Sequence, residues 1–373
     1  MQSKGLVIVY DPHNLYQFVW YYATYGYGKN WDALCLPNES KGEYMSEYCK
    51  RANIFENVMS NETEFSQMKI TQKICLFAKM VCQAIVSHQE DFCKKFLNTY
   101  FESNEYDTIV VLTDVGMISG MSLWWGREKE VIILEDGWTD YLARHNGIAP
   151  KKINSFYDFQ GYFLAKMGYC NPAHIYPLKT TKYCHKYSKY PELMRYTDYA
   201  SIEKLLDFKQ TDMNLFDEII RRIYPELTEV CFDDYSVILF GAALRGYTEN
   251  AEPYVERLEN YISDYGTDIL MKKHPRDTVT YSFEKESGVL VLPSSIPAEV
   301  LTSHLAGKKV IFASFSSTIF YVNTDECDVE VVYFRNLADE SLKSNSNFKY
   351  DSKEVLMERL NEYGLNRVAI SEI

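Results

Sequence analysis

The sequence predicts an α/β protein of two domains, each built on a mainly parallel sheet, and three observations support that expectation. The chain has 373 residues, 46% of them hydrophobic, enough for more core than one domain commonly holds. Short β-rich apolar runs recur, each followed by a helical pattern, which is the sequence form of βα units. The rhythm occurs once before residue 135 and again after residue 230, with a stretch of different character between.

In the first half, strands are expected at residues 6–10, 108–112 and 131–134, and helical patterns at 14–23 and 116–125. Residues 64–86 place Ile70, Ile74, Phe77, Val81 and Ile85 on one helix face, a spacing that packs on a sheet. Residues 151–230 read as a Tyr-rich helical region punctuated by Pro172, Pro177, Pro191 and Pro225. The first domain is therefore drawn as 1–230 and the second as 231–373, with the boundary near 225–235. The second domain opens on a strand at Val237–Phe240 and continues with strands at 268–271, 288–292, 309–313 and 329–333 and a helix at 352–363.

A formal charge of −13 opposes polyanions and argues against nucleic acid as a partner. The cysteines are odd in number, nine, and scattered without a C-x-x-C pair, which reads as reduced thiols in a cytosol with no zinc site. The opening run Gly5-Leu6-Val7-Ile8-Val9-Tyr10 is too short for a signal sequence and suits a first buried strand. No apolar stretch approaches the roughly 20 residues that cross a bilayer, so a cytoplasmic location is expected, with membrane contact at most peripheral.

In open α/β sheets, ligands sit beyond the carboxyl ends of the strands, so chemistry is sought there. Three polar elements stand in such places. Glu135-Asp136-Gly137 leaves a buried strand with two carboxylates and a glycine that permits a tight turn, and a carboxylate so placed can serve as general base. Lys272-Lys273-His274-Pro275-Arg276 sets a histidine at a strand end among cations, which suits a phosphate. As an imidazolium, His274 would protonate or stabilise a phosphate leaving group. Ser314-Phe315-Ser316-Ser317-Thr318 delivers hydroxyls into a helix start, an anion site by its backbone N–H groups. Each alone is an ordinary turn or cap. Together they describe a cleft in which one wall deprotonates an acceptor while the other holds a phosphate, as inverting displacement of a nucleotide from a sugar requires.

In order and position these motifs resemble those of the bacterial GT-B sialyltransferases, the capsule polysialyltransferases and lipooligosaccharide sialyltransferases, with their D/E-D/E-G, HP and S-S or S-T motifs. The segment Ser295-Ile296-Pro297-Ala298-Glu299 adds a fourth match. The resemblance implies a GT-B fold: two Rossmann-like domains with parallel sheets facing a central cleft. It implies an inverting sialyltransferase that moves sialic acid from CMP-sialic acid to a hydroxyl of a cell-surface or capsular glycan, with no metal and no further cofactor. Asp136 or Glu135 would be the base: adjacent side chains of an extended turn point opposite ways, so only one faces the cleft, and spacing does not settle which, with Asp136 placed ahead and Glu135 open. His274 would attend the phosphate, Ser316 and Ser317 would bind it, Glu299 would hold the ribose, and Lys272, Lys273 and Pro275 would line the cytosine pocket, mostly through backbone and stacking contacts. Another CMP- or UDP-activated sugar, or nucleotide and glycan binding without turnover, are the alternative readings.

His13, Gly137 and Gly241 are further candidates for acceptor or donor contact, because each follows a predicted strand. Residues 179–189 interleave lysines with tyrosines in an otherwise acidic chain. That run suits an anionic glycan, the inner membrane surface, or simply a solvated loop.

Overall fold

The computed structural model describes residues 4–36, 42–60, 105–111, 129–135, 184–188, 201–204, 212–343 and 350–373, with a few single positions between them. The chain divides into two compact units, Met1–Pro225 and Glu226–Ile373. Each is organised around one parallel sheet.

The sheet of the first unit has seven strands in the order β3-β2-β1-β4-β5-β6-β7. They are β1 (Lys4–Val9), β2 (Asn30–Cys35), β3 (Asn57–Ser60), β4 (Thr108–Val111), β5 (Glu130–Ile133), β6 (His185–Ser188) and β7 (Ser201–Lys204). The apolar residues of β1, β4 and β5 are fully buried, as expected of central parallel strands covered on both faces. Gly5 in β1 pairs with Trp31 in β2, and a Cβ at Gly5 would lie 2.3 Å from the buried indole. Only glycine admits that side chain across the sheet.

Helix α1 (Pro12–Tyr21) starts where the sequence specifies: the Asp11 carboxylate accepts from Asn14 N at 2.9 Å and proline sits in the first turn. It begins two residues before the expected 14–23. It ends in a π-helical turn at Tyr22–Gly26, closed by Trp31 Nε1 donating to the Gly26 carbonyl at 3.1 Å. Helix α2 (Gly42–Ala52) and helix α3 (Met213–Ile223) follow. α3 buries Phe216, Ile219, Ile220 and Ile223, one face at helical spacing, with Phe216 edge-on to Tyr16 of α1.

The helical reading of 151–230 is corrected in part: helix α3 lies in it, and so do β6 and β7, which extend the first sheet. Their sequences, His-Lys-Tyr-Ser and Ser-Ile-Glu-Lys, lack the apolar run by which strands are recognised: β7 is an edge strand, which need not be apolar, and β6, paired on both sides, buries the polar Lys186 and Ser188. The helix expected over residues 64–86 lies, Ala78 apart, outside the described residues, as does nearly all of that at 116–125.

The second unit carries a six-stranded sheet ordered β10-β9-β8-β11-β12-β13. Its strands are β8 (Val237–Phe240), β9 (Ile269–Lys272), β10 (Val289–Leu292), β11 (Lys309–Phe312), β12 (Asp328–Tyr333) and β13 (Ala369–Glu372). The last strand, half-exposed and at an edge, was not expected from sequence. Helices α4 (Leu244–Tyr247), α5 (Glu252–Ser263), α6 (Leu337–Lys343) and α7 (Lys353–Glu362) complete the unit. Tyr254, Val255, Leu258 and Ile262 of α5 and Leu356 and Leu360 of α7 are buried. The chain order reverses between β1 and β4 in one sheet and between β8 and β11 in the other. Two Rossmann-like units of this kind make the GT-B type of fold.

Candidate functional site

Because every strand pair in the second unit is parallel, the segments after β8, β9, β10 and β11 emerge at one edge of its sheet. Those segments carry Gly241, His274, Glu299 and Ser316, so four of the sequence-predicted residues share the carboxyl edge.

His274 is half-buried in the turn after β9. The turn closes by Asp277 N donating to the His274 carbonyl at 2.8 Å, and Arg276 N donates to His274 Nδ1 at 3.1 Å. That bond fixes the ring's orientation in the turn, at the carboxyl edge where a phosphate was expected. Pro275 is exposed on the same turn.

The two lysines beside it do not present ammonium groups to a phosphate. Lys272 is 2% exposed, and its Nζ donates to the carbonyls of Lys273 and, at 3.3 Å, Ser294. Lys273 Nζ meets Glu284 Oε1 at 2.6 Å and the Val279 carbonyl at 2.7 Å. Both cations fold the loop from within, leaving any nucleotide contact here to backbone and ring faces. Asp277 accepts from Val279 N at 3.0 Å and from the Tyr281 hydroxyl at 3.2 Å. Burial raises its carboxyl above the usual range, and these bonds and Lys273 only partly offset that. A Cβ at Gly241 would lie 3.3 Å from Asp277 Oδ2 and 3.4 Å from Lys273 Cα. Glycine thus lets the chain after β8 run close against the His-Pro turn.

Glu299 lies buried in the short 3₁₀ segment Ala298–His304. Its Oε1 accepts from Thr318 Oγ1 at 3.1 Å. Ser316 Oγ in turn donates to Thr318 Oγ1 at 3.2 Å and, as N-cap, accepts from Thr318 N at 3.4 Å. The structure therefore joins the two predicted elements Glu299 and Ser316 through Thr318, a residue to which sequence reasoning gave no role. A hydroxyl trailing a Ser-Ser pair was the available signal. The helix expected after Ser316 is a 3₁₀ segment, Ser317–Tyr321, too brief for a developed dipole.

In the first unit, Glu135 is 1% exposed just past β5. Ser188 Oγ of β6 donates to Glu135 Oε2 at 3.1 Å, and Lys186 Nζ of β6 donates to the Leu134 carbonyl at 3.0 Å. Asp136 and Gly137 lie outside the described residues. His13 is half-buried in the first turn of α1, at the carboxyl edge beside the strand-order reversal. Of the lysines in 179–189, Lys186 is described and it is interior, so it cannot face a membrane. Lys179, Lys182 and Lys189 lie outside the described residues. Among the described residues no helix is long and apolar enough to cross a membrane.

Solved structures similar to this chain include a UGT89C1 from Arabidopsis thaliana complexed with UDP, with TM-score 0.48 and 10% identity over 100% of this chain and 86% of that one. Phytolacca americana UGT2 complexed with UDP-2-fluoro-glucose and pterostilbene gives TM-score 0.48 and 8% identity over 99% and 85%. MurG of Acinetobacter baumannii gives 0.41 and 10% over 99% and 85%. No curated protein matches the sequence. The family model of glycosyltransferase family 52 matches residues 53–336, a span that contains Glu135, Gly241, His274, Glu299 and Ser316. The chain belongs to glycosyltransferase family 52 and is a glycosyltransferase of the sialyltransferase type.

Proposed function

We propose that this enzyme transfers sialic acid from CMP-sialic acid to a hydroxyl of a cell-surface or capsular glycan, with inversion at the anomeric carbon. The observation that supports the reading best is the gathering of Gly241, His274, Glu299 and Ser316 at one carboxyl edge of the second sheet. That edge offers a nucleotide an N–H donor, hydroxyls, a carboxylate for ribose and a glycine for close approach.

In the proposed step the acceptor oxygen attacks the anomeric carbon as the bond from that carbon to the CMP phosphate oxygen breaks. The electron pair leaves on the phosphate. His274, as acid or electrostatic partner, and Ser316 and Ser317 stabilise the charge that develops there, and Asp136 takes the acceptor proton. The ribose hydroxyls bind Glu299, whose orientation Thr318 holds. The stabilisation of the leaving group is thus assigned to protein donors. The cytoplasmic face of a membrane, where nucleotide sugars and nascent glycans meet, is the corresponding place of work.

Thermal unfolding with CMP, UMP and UDP tests the donor, since a ligand bound to the native state alone raises apparent stability. A shift with CMP and none with UDP is expected. A shift with UDP alone would move the assignment to a UDP-linked sugar.

A further inference from the structure

From the way β6 meets the end of β5 we infer that Lys186 and Ser188 are positioning residues for the transfer step, and that Glu135 is their buried anchor, not the base. This rests on the proposed transfer chemistry and deepens it.

The pairing of β5 with β6 runs through Ile132↔His185 and Ile133↔Lys186. Continued by two residues, that register sets Glu135 opposite Ser188. Side chains alternate along a strand, so Lys186 and Ser188 project to the same face of β6. From that face one ammonium takes the Leu134 carbonyl and one hydroxyl takes the Glu135 carboxylate. Two consecutive residues at the mouth of β5 are thereby held by two alternate residues of β6.

All three polar side chains are interior: Lys186 and Glu135 are each 1% exposed and Ser188 is fully covered. An ammonium and a carboxylate so buried cost solvation that aliphatic side chains would not. In some proteins such groups serve to fix a geometry. Here the fixed object is the backbone that leads directly into Asp136-Gly137. With its carboxylate covered and bonded to Ser188, Glu135 is turned into the unit, and the acceptor proton falls to the neighbouring Asp136.

The experiment compares S188A, S188T, K186M, Glu135→Gln and Asp136→Asn with wild type. It measures CMP release from CMP-sialic acid, with water or lactose as the accepting hydroxyl, alongside stabilisation by CMP. Asp136→Asn is expected to lose about a thousand-fold in kcat, within the range for a general base. S188A and K186M should lose about ten-fold or more in kcat, as a misplaced reacting group does, with donor KM within about two-fold of wild type. Their stabilisation by CMP, a property of the second unit, should stay at the wild-type value. Glu135→Gln should fall about ten-fold, and S188T, which keeps the hydroxyl, should recover most of what S188A loses.

The assignment is overturned if Glu135→Gln falls as far as Asp136→Asn, or if S188A turns over like wild type. S188A decides the matter should K186M fail to fold. If wild type neither binds CMP nor consumes CMP-sialic acid, the donor reading fails instead. The same kcat comparison then judges the β6 assignment with the UDP-linked sugar that the enzyme does use.

Discussion

The two carboxyl edges are assembled over different distances in the chain. In the second unit, His274 is oriented by an N–H two residues away, Ser316 is bonded to Thr318 two residues away, and Thr318 reaches Glu299 across 19 positions. In the first unit, the residues before Asp136 are held by Lys186 and Ser188, 52 and 53 positions away from their partners. Bonds between near neighbours form with the turn itself. Bonds across such a separation form only once β6 has docked on β5. The difference teaches that geometry at the second unit's edge, proposed for the donor, is a local property, whereas geometry at the first unit's edge, proposed for the acceptor, depends on the pairing of its strands.

The largest expected effect probes the local side. His274→Ala should lower kcat for CMP release by about a hundred- to a thousand-fold, the loss seen when one oriented donor is removed from a developing charge. CMP should still stabilise the variant, because the bonds between Glu299, Thr318 and Ser316 remain.

G5A probes the other side. Its Cβ would strike the Trp31 ring inside the first sheet, an overpacking that costs about 1–3 kcal/mol in urea unfolding. Transfer should weaken with the sheet while CMP binding persists, and loss of both together would break the comparison.

T318V removes the hydroxyl that links Ser316 to Glu299 and keeps the shape. Donor KM should rise about five-fold, equivalent to one hydrogen bond of about 1 kcal/mol, with kcat within about two-fold. An unchanged KM would mean that Glu299 needs no partner to face the ribose.

The smallest effect is one of pH. The raised carboxyl of Asp277 binds its proton more tightly folded than unfolded, chiefly because it is buried. Its ionised form therefore costs stability at neutral pH, and the cost is relieved as the pH falls through its folded value toward the unfolded one. D277N should match or exceed wild type in urea midpoint at pH 7, with the difference narrowing by pH 4. A difference that widened on acidification would reverse the sign of that burial effect.

What could be read from sequence follows the same division. The five strands β8 to β12 were legible as apolar runs, and His274, Glu299 and Ser316 as motifs after strands, because local composition dictates both. The course of the neighbouring lysine side chains was not legible: nothing in a Lys-Lys-His-Pro run shows that the ammonium groups end on Glu284 and on the carbonyls of Lys273, Val279 and Ser294. β7 and β13 were illegible because edge strands dispense with apolar patterning, and β6 because its buried positions carry Lys186 and Ser188. The anchoring of Glu135 was hidden behind them, since no local rule connects residue 135 to residue 188.

The interior course of Lys272 and Lys273 has a consequence for how the enzyme meets its nucleotide. Lys273 ends on the Glu284 carboxylate, so that pair exerts little net pull on a phosphate at a distance, and Lys272 is held on carbonyls inside the loop and gives added salt little exposed charge to screen. In a chain of net charge −13, capture of an anionic donor then depends on short-range fit, not on long-range steering. Added salt should accordingly weaken donor affinity at this edge less than it does at sites that gather phosphates with a fringe of surface lysines.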